Sequence, residues 1–284
     1  MMDSSFQHIL PSKVEIQKFP RFQNLPKQAI HVIQNLEQCE AIRAELEQVS
    51  IFGFDSESKP TFQVGEVSTG PHLIQLASVE QAYLFQMSPP IWSFLAPFLA
   101  NPDQLKVGFG LKNDTHLFRK KGFELKGVVE LSKCFASFGL TNPVGIKNAI
   151  ALLFQLNFPK SKKVSTSNWA RKILTPEQVD YAAADAYAAL LVFEELRRLE
   201  QLPKDISKEL EKTTTQKIKR FKEIEKILGK VNKEKDTIVP LEMFLVNGYA
   251  KLEIGLAKGK RLHDKREDLA KKDQKRAIER AMKQ

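Results

Sequence analysis

The chain has 284 residues, 42% hydrophobic and 27% charged, enough for one sizeable domain and a smaller one. No apolar run reaches the 18 residues of a membrane helix, "MMDSSFQHILPSK" carries no signal peptide, and two cysteines, Cys39 and Cys134, are too few for a disulfide scaffold or a cysteine zinc site; a cytoplasmic protein with no membrane partner is expected. Of the net charge of +10, residues 204–284 carry +9, with 23 Lys and Arg against 14 Asp and Glu, which points to a polyanionic partner or to a solvated lysine-rich surface.

In chain order, the prolines scattered through the first 30 residues read as a loosely structured lead-in, here bounded at 1–27. The first domain, 28–203, opens with a strand at 30–33, a helix over 36–48 and a strand at 51–57. After a loop containing Pro60, Gly65, Gly70 and Pro71, "HLIQLAS" and "QAYLFQM" predict two more strands, together an antiparallel meander at the start of an α/β domain. A helix over 91–99 follows, then "LKVGFGLKNDTHLFRKKG" as a buried strand, a glycine-permitted turn and a helix starting near Asn113. Ile146, Ala149, Ile150 and Leu153 make one helical face. "TPEQVDYAAADAYAALLVFEELRRLE" begins with Thr175 as N-cap, Pro176 at the first helical position and Gln178 at the third, the signature of a capping box. Pro203 and a threonine run mark a linker at 204–215.

Within this order the carboxylates stand out. Asp55 and Glu57 in "FGFDSES" are two apart in a strand, so they project from one face while Phe54 and Ser56 take the other. Such a pair repels unless a cation lies between, and a hard divalent ion with oxygen ligands is the usual answer; an exposed acidic strand end is the plain alternative. Asp114 falls at a helix start, where the dipole favours it, and Tyr181 and Asp185 are four apart on one helix face, with alanines between them that let the helix approach the sheet.

Taken together, "FDSES", "VGFGLKNDTHLF" and "SNWARKILTPEQVDYAAADAYAAL" resemble the three motifs of the DEDD exonucleases in the tyrosine subgroup, which includes ribonuclease D and the Werner-type exonuclease domain. The resemblance covers about residues 28–200. It implies an α/β, ribonuclease-H-like (DnaQ-like) fold, a mixed sheet flanked by helices, with 3′→5′ hydrolysis of single-stranded nucleic acid. It further implies that Asp55, Glu57, Asp114 and Asp185 hold two divalent metal ions, Mg²⁺ or Mn²⁺, while Tyr181 orients or deprotonates the attacking water. A phenol with its ordinary pKa near 10 is a poor base at neutral pH, which favours orientation. By position, Asn168 and Trp169 lie near the cleft, Trp169 either supporting a terminal base or filling core. Lys59 and Lys112, beside the carboxylates, either contact the scissile strand or balance local charge. His116 could touch a phosphate, although a structural role is the commoner one for such a histidine.

Residues 216–284 read as a basic helix, two strands around Asn247-Gly248, the strongest short hairpin signal, and a charged tail that folds along a polyanion if at all. "IVPL", "GLAKGK" and "HDKRE" are similar to the C-terminal half of small protein B, the partner of transfer-messenger RNA in ribosome rescue. That resemblance assigns Lys258, Lys260, Arg261, His263, Lys265 and Arg266 to the RNA side, with His263 able to stack on a base. The N-terminal half of that family's barrel has no counterpart here, so a complete barrel is not expected and the segment reads as a tether to RNA or the ribosome, or as a nonspecific basic remnant of a gene fusion. The expected function is therefore a metal-dependent 3′→5′ exonuclease, RNA favoured over DNA. The alternative is a non-enzymatic RNA-binding or ribosome-rescue factor with a degenerate nuclease domain.

Overall fold

Period-two alternation in the central strands decides which residues meet which layer. In the computed structural model, which describes residues 10–61, 69–208, 210–211, 222–227, 229, 231, 236–246, 249–258 and 272, the chain divides into two units, Met1–Glu209 and Leu210–Gln284. In chain order the first unit holds α1 (Lys13–Lys18), β1 (Ile30–Ile33), α2 (Leu36–Ala41), α3 (Arg43–Gln48), β2 (Ile51–Glu57), β3 (Leu73–Ala77), β4 (Ala82–Gln86), α4 (Pro89–Ala100), β5 (Leu105–Gly108), α5 (Lys112–Lys120), β6 (Val128–Glu130), α6 (Ile146–Phe154), α7 (Lys162–Ser165) and α8 (Pro176–Arg198). The six strands form one mixed sheet in the order β1-β4-β3-β2-β5-β6. β2, β3 and β4 are the antiparallel meander, while β1 runs parallel to β4, β5 to β2 and β6 to β5.

Phe52 and Phe54 of β2, with Ile74 and Leu76 of β3, face a core closed by Trp92, Phe94, Leu95 and Phe98 of α4 and Phe118 of α5. On the other face, Leu73, Ala77, Ala82 and Leu84 pack against α8 through Tyr181, Ala182, Ala183 and Ala186. Burying each large side chain contributes roughly 1.5–3 kcal/mol. α8 starts where the sequence says it should, with Thr175 Oγ1 accepting from Gln178 N and Gln178 Oε1 accepting from Thr175 N. Its small residues let the helix lie almost on the strand: a Cβ added to Gly53 of β2 would stand 1.9 Å from the carbonyl oxygen of Ala186. Gly53 is therefore required for close approach, not for a turn.

Three expectations are corrected. The helix expected over 36–48 is two, because Ile42 leaves helical geometry at φ −103°, ψ 2° and ends α2 as it begins α3. From residue 10 onward the lead-in is built rather than loose: Ser12 and Glu15 form a capping box on α1, and about an isolated bridge between Arg21 and Asn157 the Phe22 N–H donates to the Asn157 carbonyl while the Asn157 N–H donates to that of Pro20. Leu153, expected on the buried face of α6, is half-buried, and Ala151 is buried instead.

The second unit contains the antiparallel strands β7 (Asp236–Val246) and β8 (Tyr249–Lys258), with a register shift between Pro240 and Glu242. A proline cannot donate to a ladder, and an irregularity beside it is the normal accommodation. Ile238 pairs with Leu256 and Pro240 with Ile254, so these four share one face, on which Ile238, Ile254 and Leu256 are exposed. The Asn247-Gly248 turn and the segment after Lys258, with Lys260, Arg261, His263, Lys265 and Arg266, lie outside the described residues. Among the described residues no helix is long and apolar enough to cross a membrane.

Candidate active site

Gly53, Asp55 and Glu57 alternate onto the α8 face of β2, and α8 brings Asp185 to meet them. One oxygen from each of Asp55, Glu57 and Asp185 can be chosen so that all lie within 4.8 Å of one another. Asp185 is 3% exposed, and neither of its oxygens receives a well-aligned hydrogen bond. A buried carboxylate without an aligned hydrogen bond, beside two further carboxylates, fits the donor set of a hard divalent cation. Without such an ion the group resists ionisation. Burial and then the Asp185 and Asp114 charges raise Asp55 well above the carboxylate range. Burial, then Asp55 and Asp185, pushes Glu57 up to about 9.

Asp114 stands outside this close group. Its Oδ1 accepts a hydrogen bond from Ser56 Oγ, the strand residue that points away from Asp55 and Glu57. The turn leading to Asp114 is fixed by Glu130 at the end of β6, whose carboxylate accepts from the backbone of Gly110 at 3.0 Å and Leu111 at 2.8 Å. Gly110 has φ 76°, a conformation glycine takes without strain. Tyr181, 7% exposed, lies one helical turn before Asp185, with its ring centroid 6.0 Å from that of Trp169. Burial and the Asp185 and Glu57 charges raise its phenol far above the ordinary range.

These features coincide with two family matches. The profile of a family described as 3′-5′ exonuclease matches residues 30–200, more than half of the chain. The chain belongs to the 3′-5′ exonuclease family. The exonuclease fold is echoed by the Aedes aegypti Nibbler EXO domain, 23% identical over 66% of this chain and all of that one with a TM-score of 0.56, and by Trypanosoma brucei RNase D in complex with RNA U12, 18% identical over 64% of each at 0.51. A second profile, SmpB protein, matches residues 181–284 and overlaps the exonuclease match along α8 and just beyond it. Among curated proteins, the SsrA-binding protein of Geobacter sulfurreducens is 52% identical over 63 residues, 22% of this chain and 41% of that one. The chain thus spans about two fifths of the length of that relative.

Around these carboxylates, the remaining predicted residues divide. Trp169 is fully buried and donates from Nε1 to the Ser165 carbonyl, so it fills core and offers no open face to a base. Asn168 is exposed, its carbonyl receiving Gln178 Nε2 at 3.2 Å, and Gln178 also donates to Ser167 Oγ at 2.8 Å; this cap residue pins the 167–169 segment to α8. Lys112 and His116 are exposed, Lys59 is half-buried, and Lys258 is exposed on β8. A cleft of about 340 Å³ opens beside Trp169, lined also by His72, Gln86, Arg171 and Lys172.

Sequence reasoning misses two polar residues at the heart of the site. Lys160 Nζ lies 3.2 Å from Asp185 Oδ2 and 5.7 Å from the Tyr181 ring centroid. Burial lowers its pKa, yet the Asp185, Asp55 and Glu57 charges outweigh burial and hold it above the lysine range. Nothing in "PKSKKVS" distinguishes this lysine from its neighbours. Gln75, fully buried and paired in register with Asp55, has no hydrogen-bond partner for either amide atom among the described residues; a polar residue inside the apolar run "HLIQLAS" was the available signal.

Proposed function

We propose that the chain is a metal-dependent 3′→5′ exonuclease acting on single-stranded ends, RNA in preference to DNA. The observation that carries the reading is the convergence of Asp55, Glu57 and buried Asp185, with Tyr181 one helical turn before Asp185. Asp55, Glu57 and Asp185 would hold a first divalent ion, and Asp114 would join Asp55 for a second. Mg²⁺ or Mn²⁺ at such a pair supplies water activation at neutral pH and charge neutralisation at the attacking and leaving oxygens. A phenol with an ordinary pKa near 10 is a poor base at neutral pH, so Tyr181 acts as a hydrogen-bond donor that orients the attacking water rather than as a base. Ser56 and Glu130 set the position of Asp114 and the turn before it.

The preference for RNA rests on residues 216–284, whose similarity to SsrA-binding proteins supports a basic segment that engages transfer-messenger RNA or the ribosome and raises the local concentration of the nuclease at its substrate. The test compares the wild type with Asp55→Ala, Asp185→Ala and Tyr181→Phe on a labelled single-stranded RNA with Mn²⁺ and with EDTA. Hydrolysis should require metal and both aspartates, with RNA binding retained in every variant. Tyr181→Phe should slow the reaction by at least tenfold, within the usual range for a positioned proton-handling group. RNA that is bound but uncut by wild type under all conditions would leave a binding factor with a degenerate nuclease domain.

A further inference from the structure

We propose that Lys160 is an internal cation that holds Asp185 until a divalent ion displaces it. The inference rests on the metal reading of the site. Three carboxylates within 4.8 Å of one another repel, and among the described residues the ammonium at 3.2 Å from Asp185 Oδ2 is the cation placed against them. Its position is built. Phe158, two residues earlier, is 1% exposed and packs edge-on against Phe22 at 5.1 Å, and Asn157 is bonded through its backbone to Pro20 and Phe22. The base of the side chain is therefore fixed while its head is poised between Asp185 and the Tyr181 ring.

A divalent ion and an ammonium cannot share the same carboxylate oxygen without strong repulsion. The alternative place for the ammonium is at hand. Lys160, whose side chain is 37% exposed, also lines a cleft of about 610 Å³ with Gly110, Ser132, Gly145 and Asn148, and no atom lies within 4 Å of where a Cβ of Gly145 would stand. Binding of metal and turning of Lys160 into that cleft are then one exchange, and the two cations compete for Asp185 by linkage.

The test titrates Mn²⁺ into EDTA-stripped wild-type protein and Lys160→Met by calorimetry, without nucleic acid. Removing the competitor should tighten Mn²⁺ binding about tenfold, lower the melting temperature of the metal-free protein and enlarge the Mn²⁺-induced rise. Equal affinity overturns the proposal; weaker affinity overturns it too, making Lys160 a support for Asp185. If neither protein binds Mn²⁺, the metal reading itself falls. Should Lys160→Met not fold without metal, lysine acetylation of the wild type, followed by mass spectrometry, decides: Lys160 should be modified several-fold faster with Mn²⁺ than with EDTA, and an unchanged or slower rate refutes the exchange.

Discussion

Gly53→Ala tests the contact that assembles the site. The added Cβ would stand 1.9 Å from Ala186 O, 2.9 Å from its carbonyl carbon and 3.0 Å from Leu190 Cβ. A close carbon–oxygen contact is about 3.3 Å, so α8 must retreat by more than about 1 Å. Both obstructing carbonyl atoms are backbone, in the middle of a 23-residue helix, and no rotamer change can clear them. Alanine regains roughly 0.5–1 kcal/mol of backbone entropy relative to glycine, but overpacking of this kind costs about 1–3 kcal/mol and here falls at the upper end. The net expectation is a loss of about 2 kcal/mol in urea denaturation. Asp185 precedes Ala186 and moves with it, so Mn²⁺ binding should weaken and turnover should fall about 100-fold, the scale of a 1 Å misplacement. Gly145→Ala is the control, since its Cβ meets nothing within 4 Å and its φ is −78°; as an N-cap change it should cost under about 1 kcal/mol. A Gly53→Ala protein with wild-type stability and Mn²⁺ affinity would refute the close-approach argument.

Three further outcomes follow from the same geometry. Glu57 titrates at about 9 when folded and near its ordinary 4.5 when unfolded, so between those pH values the folded state holds more protons and stability falls as pH rises; melting curves in EDTA should show that fall, Mg²⁺ or Glu57→Gln should lessen it, and a slope unaffected by either would contradict the assignment. Lys106 is 1% exposed and donates from Nζ to the carbonyls of Phe98, Asn101 and Gln104 at 3.0, 2.8 and 2.7 Å. Burial pulls its pKa down to about 7, yet three acceptors call for the three hydrogens of an ammonium; Lys106→Met should cost about 2–3 kcal/mol in urea denaturation, and an unchanged midpoint would show the clamp to be idle. Removing residues 216–284 should weaken RNA binding and flatten its salt dependence while sparing turnover of short oligonucleotides, and loss of that turnover in a folded protein would place the segment in the active site.

What was legible in the sequence was whatever short-range periodicity decides. Alternation in "IFGFDSE" gives β2 and puts Asp55 and Glu57 on one face, and Thr175-Pro176-Gln178 fixes the start of α8 and, through the helical period, the shared face of Tyr181 and Asp185. The capping box of Ser12 and Glu15 was equally available in "SKVE", so the lead-in helix was readable by the same rule. β6 has three residues, too few for any periodic signal. Lys160 and Ser56 could not be read, because their partners, Asp185 and Asp114, lie 25 and 58 residues away and meet them only after the sheet has formed. Gly53 lies between: a glycine inside an apolar strand signals close approach, but only the structure names Ala186 as what approaches.

The central claim, that these carboxylates cut nucleic acid from its 3′ end, is tested most directly by a time course on one RNA sequence labelled at either end, with Mn²⁺ and with EDTA, and on the matching DNA. The account predicts immediate release of labelled mononucleotide from the 3′-labelled strand, a descending ladder from the 5′-labelled strand, no change in EDTA, and faster loss of RNA than DNA. Internal cuts appearing before any shortening, or an unchanged 3′ end on RNA that is bound, would contradict it.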